Sequence, residues 1–395
     1  MKTPIQAVIL AGGLGTRLGT KTQTLPKPMM DIAGRPFLDY LVRNLQRQGV
    51  EEIILSIGYL SESIRSYFGS GGNHDLAIRY AVEDSPLGTG GALRNCLPVL
   101  GERFFVMNGD TMFDMNLAAL ANASPANVMA LRPVEDTSRY GSVTLEDGWI
   151  ALFEEKGGQG PGVINGGVLC LERDALGGLP EGKCSLEQDL LPVLAGQRAL
   201  SGFISDGFFI DIGVPESLAD GQISIPRWEK KPIAFIDRDG VLNHDLGHVH
   251  TIEQFKWIDG AAEAVRHLND GGYHVVLVTN QAGIAKGMYA EGDFQALTQW
   301  MKTELWKKGA HLDAVFYCPY HPEAILPHYR RTSEDRKPGP GMLLRAMADI
   351  PCDPTRSFFI GNQPTDRQAA QAAGVKYFNF QGGDLLGFVR QSTIN

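Results

Sequence analysis

The sequence predicts an α/β protein with two domains. Short apolar segments alternate with amphipathic helical segments along the chain, a pattern typical of mainly parallel sheets. The chain has 395 residues, which exceeds the size at which one hydrophobic core keeps growing. The pattern also restarts after Ile223–Pro232 (ISIPRWEKKP), a charged segment with two prolines, where we place a linker. We therefore predict domains at residues 1–224 and 232–395.

The apolar and amphipathic segments predict the following elements. In the first domain, strands are expected at Ala7–Leu10, Ile53–Ile57, Ile78–Val82, Phe104–Asn108 and Phe208–Ile212. Helices are expected there at Phe37–Gln48, Gly91–Leu100 and near Glu187–Leu194. Between the last two, residues 128–171 are expected to be mainly β-strand. In the second domain, strands are expected at Ile233–Ile236, His274–Thr279, Ala314–Tyr317, Ser357–Ile360 and Lys376–Phe380.

Composition excludes several classes of protein. The net charge of -9 argues against a nucleic-acid-binding surface. No apolar run approaches the roughly 18 residues of a membrane span, so we expect no membrane association. The apolar start is too short for a signal peptide and leads into a glycine loop. The five cysteines are scattered and odd in number, which indicates a reducing cytoplasm. A homo-oligomer is compatible with the sequence.

A glycine loop follows the first predicted strand. It runs Leu10-Ala-Gly-Gly-Leu-Gly-Thr-Arg-Leu18, and Pro26-Lys27-Pro28 comes shortly after. Glycines let backbone N–H groups approach phosphate oxygens, and Arg17 and Lys27 add positive charge for a pyrophosphate leaving group. The loop has no Lys-Ser or Lys-Thr as a P-loop requires, and Leu18 stands where a Rossmann fingerprint requires glycine. Taken alone, the loop could still be a simple chain-reversing turn.

Further motifs in the first domain indicate the family to which this loop is similar. GGxGTRL followed by PKP resembles the signature of the sugar-1-phosphate nucleotidyltransferases. The resemblance extends over roughly residues 5–220 and implies a Rossmann-like mixed sheet. The other matching segments, in the family's order, are PLGTGGA (86–92), NGDT (108–111), EK (155–156), NGG (165–167) and IDIGVP (210–215).

The resemblance implies attack by a sugar 1-phosphate on the α-phosphorus of a nucleoside triphosphate, with release of pyrophosphate. Arg17 and Lys27 are the implied catalytic cations, and Asp110 and Asp211 the implied Mg²⁺ ligands. Within the family, residues 83–92 (EDSPLGTGGA) and 108–114 (NGDTMFD) most resemble those of heptose-1-phosphate guanylyltransferases, and this resemblance favours GTP. The implied nucleotide-binding residues are Leu10, Ala11, Gly12, Gly13, Gly15, Thr16, Arg17, Lys27, Gly88 and Asp110. The implied sugar-phosphate-binding residues are Gly109, Glu155, Lys156 and Asn165.

Two aspartates follow the first strand of the second domain. Asp237 and Asp239 lie in Phe235-Ile-Asp-Arg-Asp-Gly-Val-Leu-Asn243. Carboxylates so close together repel unless they share a metal or a proton, although an Asp-Gly turn is the simple alternative. Polar groups also end later strands, in Val278-Thr-Asn-Gln281 and Ile360-Gly-Asn-Gln-Pro-Thr-Asp366, and Arg336-Lys-Pro338 supplies a cation.

This spacing resembles the haloacid dehalogenase (HAD) superfamily of phosphatases and implies a doubly wound parallel sheet. The segments GHVH (247–250), WIDG (257–260) and NQAGI (280–284) most resemble those of heptose-1,7-bisphosphate phosphatases. Asp237 would then be the nucleophile and Asp239 the general acid and base. Thr279 and Lys337 would neutralise the phosphoryl group, and Asn280 would contact the sugar phosphate. Mg²⁺ would be held by Asp237, by the backbone carbonyl of Asp239 and by Asn362.

Two features depart from the phosphatase pattern. Asn362 and Gln363 stand where that family usually has Asp and Lys, and the missing charge should weaken Mg²⁺ binding. The family's zinc loop is also incomplete, because Cys318-Pro-Tyr-His321 shifts the histidine and Ser333-Glu-Asp335 replaces a cysteine pair. One cysteine does not make a structural zinc site, so we predict no zinc and a loop held by packing. His321 and His328 are then expected to be loop or surface residues.

Two hypotheses follow from these domains. The first is a bifunctional enzyme whose phosphatase domain prepares heptose 1-phosphate for the guanylyltransferase domain. The second keeps a nucleotidyltransferase, for this or another sugar phosphate and nucleotide, and makes the phosphatase domain a weakened binding or structural module.

Overall fold

The computed structural model describes residues 6–13, 15, 18–19, 22–74, 76–124, 127–138, 142–154 and 160–393. The chain forms two compact units, residues 1–227 and 228–395. No helix within these described ranges is long and apolar enough to cross a membrane.

The first unit contains thirteen strands and six α-helices among its described residues. The strands are β1 (Gln6–Leu10), β2 (Asp31–Ile32), β3 (Arg35–Pro36), β4 (Glu52–Ile57), β5 (Ala77–Val82), β6 (Arg103–Asn108), β7 (Thr111–Phe113), β8 (Asn127–Val134), β9 (Ser142–Glu146), β10 (Trp149–Glu154), β11 (Gly162–Glu172), β12 (Leu200–Ile204) and β13 (Phe209–Asp211). The helices are α1 (Phe37–Arg47), α2 (Ser61–Phe68), α3 (Gly88–Asn95), α4 (Leu117–Asn122), α5 (Leu191–Gly196), which follows a π-helical turn at Leu186–Leu190, and α6 (Pro215–Glu229).

Nine of these strands form one mixed sheet, in the order β5-β4-β1-β6-β11-β8-β12-β10-β9. β5, β4, β1 and β6 are parallel neighbours, whereas β11 runs antiparallel to both β6 and β8. The apolar residues of β1, β4 and β6 are buried except Leu10, which is half-buried at the end of β1, as strands covered on both faces require. The parallel part therefore collects the carboxyl ends of β1 and β6 at one sheet edge, where ligands of such sheets bind.

A separate two-stranded ribbon lies at this unit's candidate site. β7 pairs antiparallel with β13, and Thr111 is the register partner of Asp211. Asp110, which precedes β7, accepts a hydrogen bond at its backbone oxygen from the Ile212 N–H group, over 3.0 Å. The ribbon thus brings together two carboxylates that lie far apart in the sequence.

The second unit is a five-stranded parallel sheet with helices on both faces. The sheet order is β16-β15-β14-β17-β18, and all its strand pairs are parallel. The strands are β14 (Ile233–Ile236), β15 (His274–Asn280), β16 (Ala314–Cys318), β17 (Phe358–Gly361) and β18 (Lys376–Asn379). The helices are α7 (Ala261–Asp270), α8 (Ala282–Ala285), α9 (Glu291–Lys307), α10 (Gly341–Asp349), α11 (Pro364–Ala372) and α12 (Leu385–Thr393).

Two hydrophobic cores cover the two faces of this sheet. Along β14, Ile233 and Phe235 join one core, while Ala234 and Ile236 join the other. Successive side chains of a strand point to opposite faces, so a strand buried on both sides must be apolar throughout. β14 is such a strand, and it ends directly before Asp237.

The boundary between the two units, after Arg227, falls within the segment predicted as the linker, and most of that segment is helical. α6 runs from Pro215 to Glu229 and includes Pro226 in its interior. Leu218 and Ile225 are buried one above the other at helical spacing, while Ile223 is 77% exposed. Burial of this apolar stripe offsets the hydrogen bond that Pro226 does not make.

Candidate active sites

A cavity of about 420 Å³ lies where β1 and β6 end in the first unit. It brings together eight residues predicted to bind the nucleotide, and the predicted sugar-phosphate residue Gly109. The eight are Leu10, Ala11, Gly12, Gly13, Gly15, Lys27, Gly88 and Asp110. Thr16, Arg17, Glu155 and Lys156 lie outside the described residues, so their predicted roles stay predictions.

Lys27 lies between the two predicted metal ligands. Its Nζ atom is 2.5 Å from Asp110 Oδ2 and 3.7 Å from Asp211 Oδ1. The Gly213 N–H group also donates to Asp211 Oδ1, over 2.7 Å, and fixes that carboxylate. A pair of carboxylates that already attracts a cation has the charge and the oxygen donors that Mg²⁺ prefers. The residues present therefore fit the metal that the sequence predicts.

Glu83, Thr89 and Glu187 also line this cavity, and the sequence analysis assigned no individual role to any of them. Glu83 accepts hydrogen bonds from the Ser56 hydroxyl (3.2 Å) and the Leu87 N–H group (3.0 Å). The Thr89 hydroxyl donates to Glu187 over 2.7 Å. These bonds connect the start of α3 to β4 and to the π-helical turn, and so fix the wall that carries Gly88.

Two described residues predicted for this site do not line its cavity. Asp211 lies beside it, near Lys27, and Asn165 has a different contact. Its side-chain oxygen accepts a hydrogen bond from the Gly167 N–H group over 2.9 Å, which closes a tight turn within β11. This side chain stabilises its own turn, as asparagine often does.

A second cavity, of about 330 Å³, lies where β14 and β15 end in the second unit. It brings together Asp237, Asp239, Thr279, Asn280 and Lys337, which the sequence predicted for the phosphatase site. Because the carboxyl ends of parallel strands meet at one edge, residues from distant segments converge here.

Lys337 is the central cation of this cavity. It is only 3% exposed, and its Nζ atom lies 2.8 Å from both Asp237 Oδ1 and Asp366 Oδ1. Asn280 holds the Lys337 backbone from both sides, since its Nδ2 donates to the carbonyl (3.0 Å) and its Oδ1 accepts from the N–H group (3.1 Å). Asn280 therefore positions Lys337, a contact that its predicted sugar-phosphate role did not include.

Asp237 is a buried carboxylate with an unusual protonation equilibrium. Burial raises the pKa of Asp237 to about 7, although the Lys337 ammonium opposes the shift. Lys337 and the Arg238 N–H group both contact Oδ1. Within the described chain Oδ2 is thus the oxygen without a hydrogen-bond partner, and it is the oxygen suited to attack a phosphorus atom.

Asp239 is held by its sequence neighbour Arg238. The guanidinium Nη2 atom lies 3.0 and 2.9 Å from the two carboxylate oxygens, and Asn243 donates to Oδ1 over 3.0 Å. Arg238 is itself 1% exposed and also donates to the Val249 carbonyl over 2.7 Å. The sequence indicated the two aspartates, whereas this role of the arginine between them appears only in the structure.

Asn362 fits a metal ligand. Its Oδ1 atom is buried and has no hydrogen-bond partner among the described residues, as expected of an oxygen reserved for a cation. Asp366 Oδ2 accepts hydrogen bonds from the N–H groups of Asn362 (3.1 Å) and Gln363 (2.9 Å) and so fixes this loop. Asn362, Asp237 and the backbone of Asp239 can therefore hold the predicted Mg²⁺.

The loop that matches the zinc loop of phosphatases has other contacts. Arg331 stacks over the Tyr320 ring at 3.6 Å, and Asp335 pairs with Arg345 at 2.8 Å. Cys318 is fully buried, and burial raises the pKa of its thiol. No group of three or more His, Cys, Asp or Glu residues in the described part of the chain is arranged to hold a metal ion. These residues do not fit a structural zinc site, which requires about four N or S ligands.

The two histidines near this loop have unremarkable surroundings. His321 is partly exposed, and its Nδ1 atom accepts a hydrogen bond from the Glu323 N–H group over 3.1 Å. His328 is exposed and packs against the Tyr329 ring at 4.1 Å.

In each unit a cavity at the carboxyl ends of parallel strands is lined by cations and carboxylates. This arrangement is typical of enzymes that act on phosphate-containing substrates. A family model described as nucleotidyl transferase matches residues 6–226, and one described as HAD-hydrolase-like matches residues 335–383. The chain belongs to the nucleotidyl transferase family, and its second unit is a HAD-like hydrolase.

Curated relatives match each unit separately. The second unit is 48% identical over 165 residues to a D-glycero-β-D-manno-heptose-1,7-bisphosphate 7-phosphatase of Rhodopseudomonas palustris, covering 42% of this chain and 92% of that protein. The first unit is 40% identical over 225 residues to a D-glycero-α-D-manno-heptose 1-phosphate guanylyltransferase of Aneurinibacillus thermoaerophilus, covering 55% of this chain and 97% of that protein. Both family resemblances inferred from the sequence are therefore confirmed.

A solved structure agrees with the fold of the first unit. The crystal structure of HddC from Yersinia pseudotuberculosis is 36% identical, covers 56% of this chain and 99% of its own, and aligns with a TM-score of 0.52. A second structure of HddC is a complex with GMP-PN. The predicted α/β architecture with two domains of these classes is confirmed.

Proposed function

We propose that this chain catalyses two consecutive reactions in sugar-nucleotide synthesis. The second unit hydrolyses the 7-phosphate of D-glycero-D-manno-heptose 1,7-bisphosphate. The first unit then transfers a guanylyl group from GTP to the heptose 1-phosphate, giving GDP-heptose and pyrophosphate. The observation that carries this proposal is that one chain covers nearly the whole length of relatives named for each of these reactions.

In the phosphatase unit, Asp237 Oδ2 attacks the phosphorus atom and forms an aspartyl-phosphate. Asp239 gives its proton to the departing sugar oxygen and then takes a proton from the water that hydrolyses the aspartyl-phosphate. Lys337 and Thr279 neutralise the phosphoryl oxygens, which become more negative as the bond breaks. Mg²⁺ at Asp237, Asp239 and Asn362 would neutralise phosphoryl charge in the same way.

In the transferase unit, no covalent protein intermediate is needed. Backbone N–H groups of the glycine loop and Lys27 bind the triphosphate, and Arg17 stabilises the charge on the leaving pyrophosphate. Glu155 and Lys156 bind the sugar phosphate. Asp110 and Asp211 would hold Mg²⁺, which would lower the charge repulsion between the two phosphate groups that react. GTP is supported by the names of the guanylyltransferase relatives and by the GMP-PN complex of HddC.

The two reactions are consecutive only if both units use one anomer. The phosphatase relative is named for the β anomer and the guanylyltransferase relative for the α anomer. Hydrolysis at C7 leaves the configuration at C1 unchanged, so the anomer that enters the first reaction is the anomer delivered to the second. We therefore propose that the phosphatase unit of this chain accepts the α anomer.

Phosphate release from the α and β anomers of heptose 1,7-bisphosphate tests the phosphatase proposal. Wild type should release phosphate faster from the α anomer, and Asp237→Asn should release almost none. Equal, slow rates for wild type and Asp237→Asn would refute the activity. A strict β preference would leave the phosphatase but break the proposed sequence of reactions.

Pyrophosphate release with a panel of nucleoside triphosphates tests the transferase proposal. Release should require a sugar 1-phosphate, be fastest with GTP and heptose 1-phosphate, and collapse in Asp110→Ala. Activity that survives Asp110→Ala would remove the metal assignment, and a preference for another nucleotide or sugar would replace the proposed substrates.

A weakened phosphatase is the second candidate, and Asn362 is the observation that favours it. An asparagine supplies one oxygen to Mg²⁺ but no charge, so metal binding should be weaker than with aspartate. Asn362→Asp gives the matched comparison. A lower Mg²⁺ requirement with a similar maximal rate supports the bifunctional enzyme, whereas wild-type inactivity that Asn362→Asp rescues supports the weakened module.

A further inference from the structure

A buried hydrogen-bonded chain lies behind the general acid Asp239. We propose that Tyr289 is a positioning residue of the phosphatase site and acts through the Gln281 side chain on Thr279 and Asp239. This inference rests on the proposed phosphatase function and adds to it two residues that the sequence motifs did not assign.

Each hydrogen bond in this chain is donated towards the cavity, starting from Tyr289. The Tyr289 hydroxyl donates to Gln281 Oε1 over 2.6 Å. Gln281 Nε2 in turn donates to the Thr279 hydroxyl oxygen over 2.9 Å and to Asp239 Oδ2 over 3.4 Å. Gln281 is 1% exposed and Tyr289 8% exposed, so no bulk water competes for these bonds.

The chemistry of the four groups fixes the direction of the chain. Gln281 presents its NH₂ end to Thr279 and Asp239, and an amide NH₂ group only donates hydrogen bonds. Its oxygen end then faces Tyr289, which must donate. Because the Thr279 oxygen accepts from Gln281, the hydrogen of this hydroxyl stays available for a phosphoryl oxygen. Tyr289 therefore keeps a donor of the site aimed at the substrate.

Tyr289 is itself held firmly. The His250 ring stacks on it at 4.7 Å with an interplanar angle of 5°, and His250 Nδ1 lies 2.8 Å from the His248 carbonyl oxygen. A Cβ atom at Gly283 would lie 2.2 Å from the tyrosine ring, so only glycine permits this close packing. Burial also raises the pKa of Tyr289 to about 12, which keeps its hydroxyl protonated and able to donate.

Loss of the hydroxyl should affect catalysis more than binding. In Tyr289→Phe, Gln281 Oε1 has no donor, and the amide can rotate so that its oxygen faces Thr279. The threonine hydroxyl then donates to the amide and no longer to the phosphoryl group, whose charge grows in the transition state. One such hydrogen bond corresponds to a roughly tenfold lower kcat with a nearly unchanged KM.

The test measures phosphate release from heptose 1,7-bisphosphate by the full chain with Mg²⁺, for four proteins. These are wild type, Tyr289→Phe, Gln281→Met and the double variant. If Tyr289 acts only through Gln281, Tyr289→Phe lowers kcat about tenfold, Gln281→Met lowers it at least as much, and the double variant equals Gln281→Met. Multiplied effects in the double variant would show that Tyr289 acts independently and would overturn the inference.

Tyr317→Phe is the matched control. Its hydroxyl donates to Glu291 over 3.3 Å in the same unit and is not connected to Asp239, so this variant should keep the wild-type kcat. Guanylyl transfer by each preparation checks the active protein concentration. If wild type hydrolyses the substrate and Tyr289→Phe has the same kcat, the inference is wrong; if wild type has no activity, the proposed function itself is wrong.

Discussion

Removal of the Lys337 ammonium should destabilise the second unit strongly, because this cation separates two buried carboxylates. Its Nζ atom lies 2.8 Å from both Asp237 and Asp366, with the three side chains almost fully buried. In Lys337→Met, both carboxylates lose their partner. Breaking a buried ion pair in this way costs about 3–5 kcal/mol. For a unit of this size, each kcal/mol lowers Tm by about 2–4 °C, which gives a fall of roughly 6–20 °C.

The destabilisation caused by Lys337→Met should also increase with pH. Burial raises the pKa of Asp237 to about 7 even with Lys337 present, and the variant lacks that opposing charge, so its pKa should rise further. The folded variant then keeps a proton that the unfolded chain has released, and its stability falls as pH rises. The slope is at most about 1.4 kcal/mol per pH unit for one proton. The gap between wild type and variant should therefore be larger at pH 8 than at pH 6.

Scanning calorimetry measures this prediction. The transition of the first unit can be assigned because GTP with Mg²⁺ should shift it upward, since a ligand stabilises the unit that binds it. Lys307→Met is the control, because Lys307 forms only an exposed pair with Glu304, worth less than about 1 kcal/mol. If Lys337→Met lowers the second transition no more than Lys307→Met, the ion-pair account of this cavity is refuted.

Three further outcomes are expected. Gly213→Ala should lower guanylyl transfer at least about tenfold and leave phosphate release intact, because the new Cβ would lie 2.7 Å from Asp211 Oδ1 and 2.9 Å from Lys27 Nζ; unchanged transfer would contradict this. Burial alone would raise the pKa of Asp313, but His274 and His311 lower it more, so the pKa of this carboxyl lies below its usual range. Asp313→Asn should thus lower the free energy of unfolding, measured with urea, by about 3 kcal/mol at pH 7. The difference from wild type should be smaller below about pH 4, where the carboxyl of the unfolded chain is protonated. A difference that does not change with pH would count against the ion pair. Chelation by EDTA should stop both reactions and MgCl₂ should restore them. A need for Zn²⁺ would contradict the prediction that the loop containing Cys318 and Asp335 binds no zinc.

The parts of the fold that follow from local sequence were predictable. β14 is apolar at every position and is followed by Asp237, so both its burial and the place of the aspartate at a sheet edge could be predicted. The helical part of the predicted linker was missed because two prolines and a run of charges were taken to indicate a linker. The spacing of Leu218 and Ile225, at helical periodicity, was the available signal.

The contacts within the sites were less predictable, because they depend on which side chains meet in space. Lys337 was expected to face the phosphoryl group, but its pairing with Asp366 depends on the first turn of α11 lying beside Lys337, which the spacing of these residues does not reveal. Asn165 had the expected motif, yet its side chain closes its own turn. Gln281 lies within a segment that the sequence did indicate, while Tyr289 carries no motif at all.

Conversion of α-heptose 1,7-bisphosphate and GTP to GDP-heptose by the full chain tests the central claim most directly. With Mg²⁺ and no other enzyme, wild type should form GDP-heptose, free phosphate and pyrophosphate in equal amounts. Asp237→Asn should form none from the bisphosphate but should form GDP-heptose from heptose 1-phosphate, and Asp110→Ala should release phosphate only. If wild type gives no GDP-heptose from the bisphosphate while it does so from heptose 1-phosphate, the two units do not catalyse consecutive reactions.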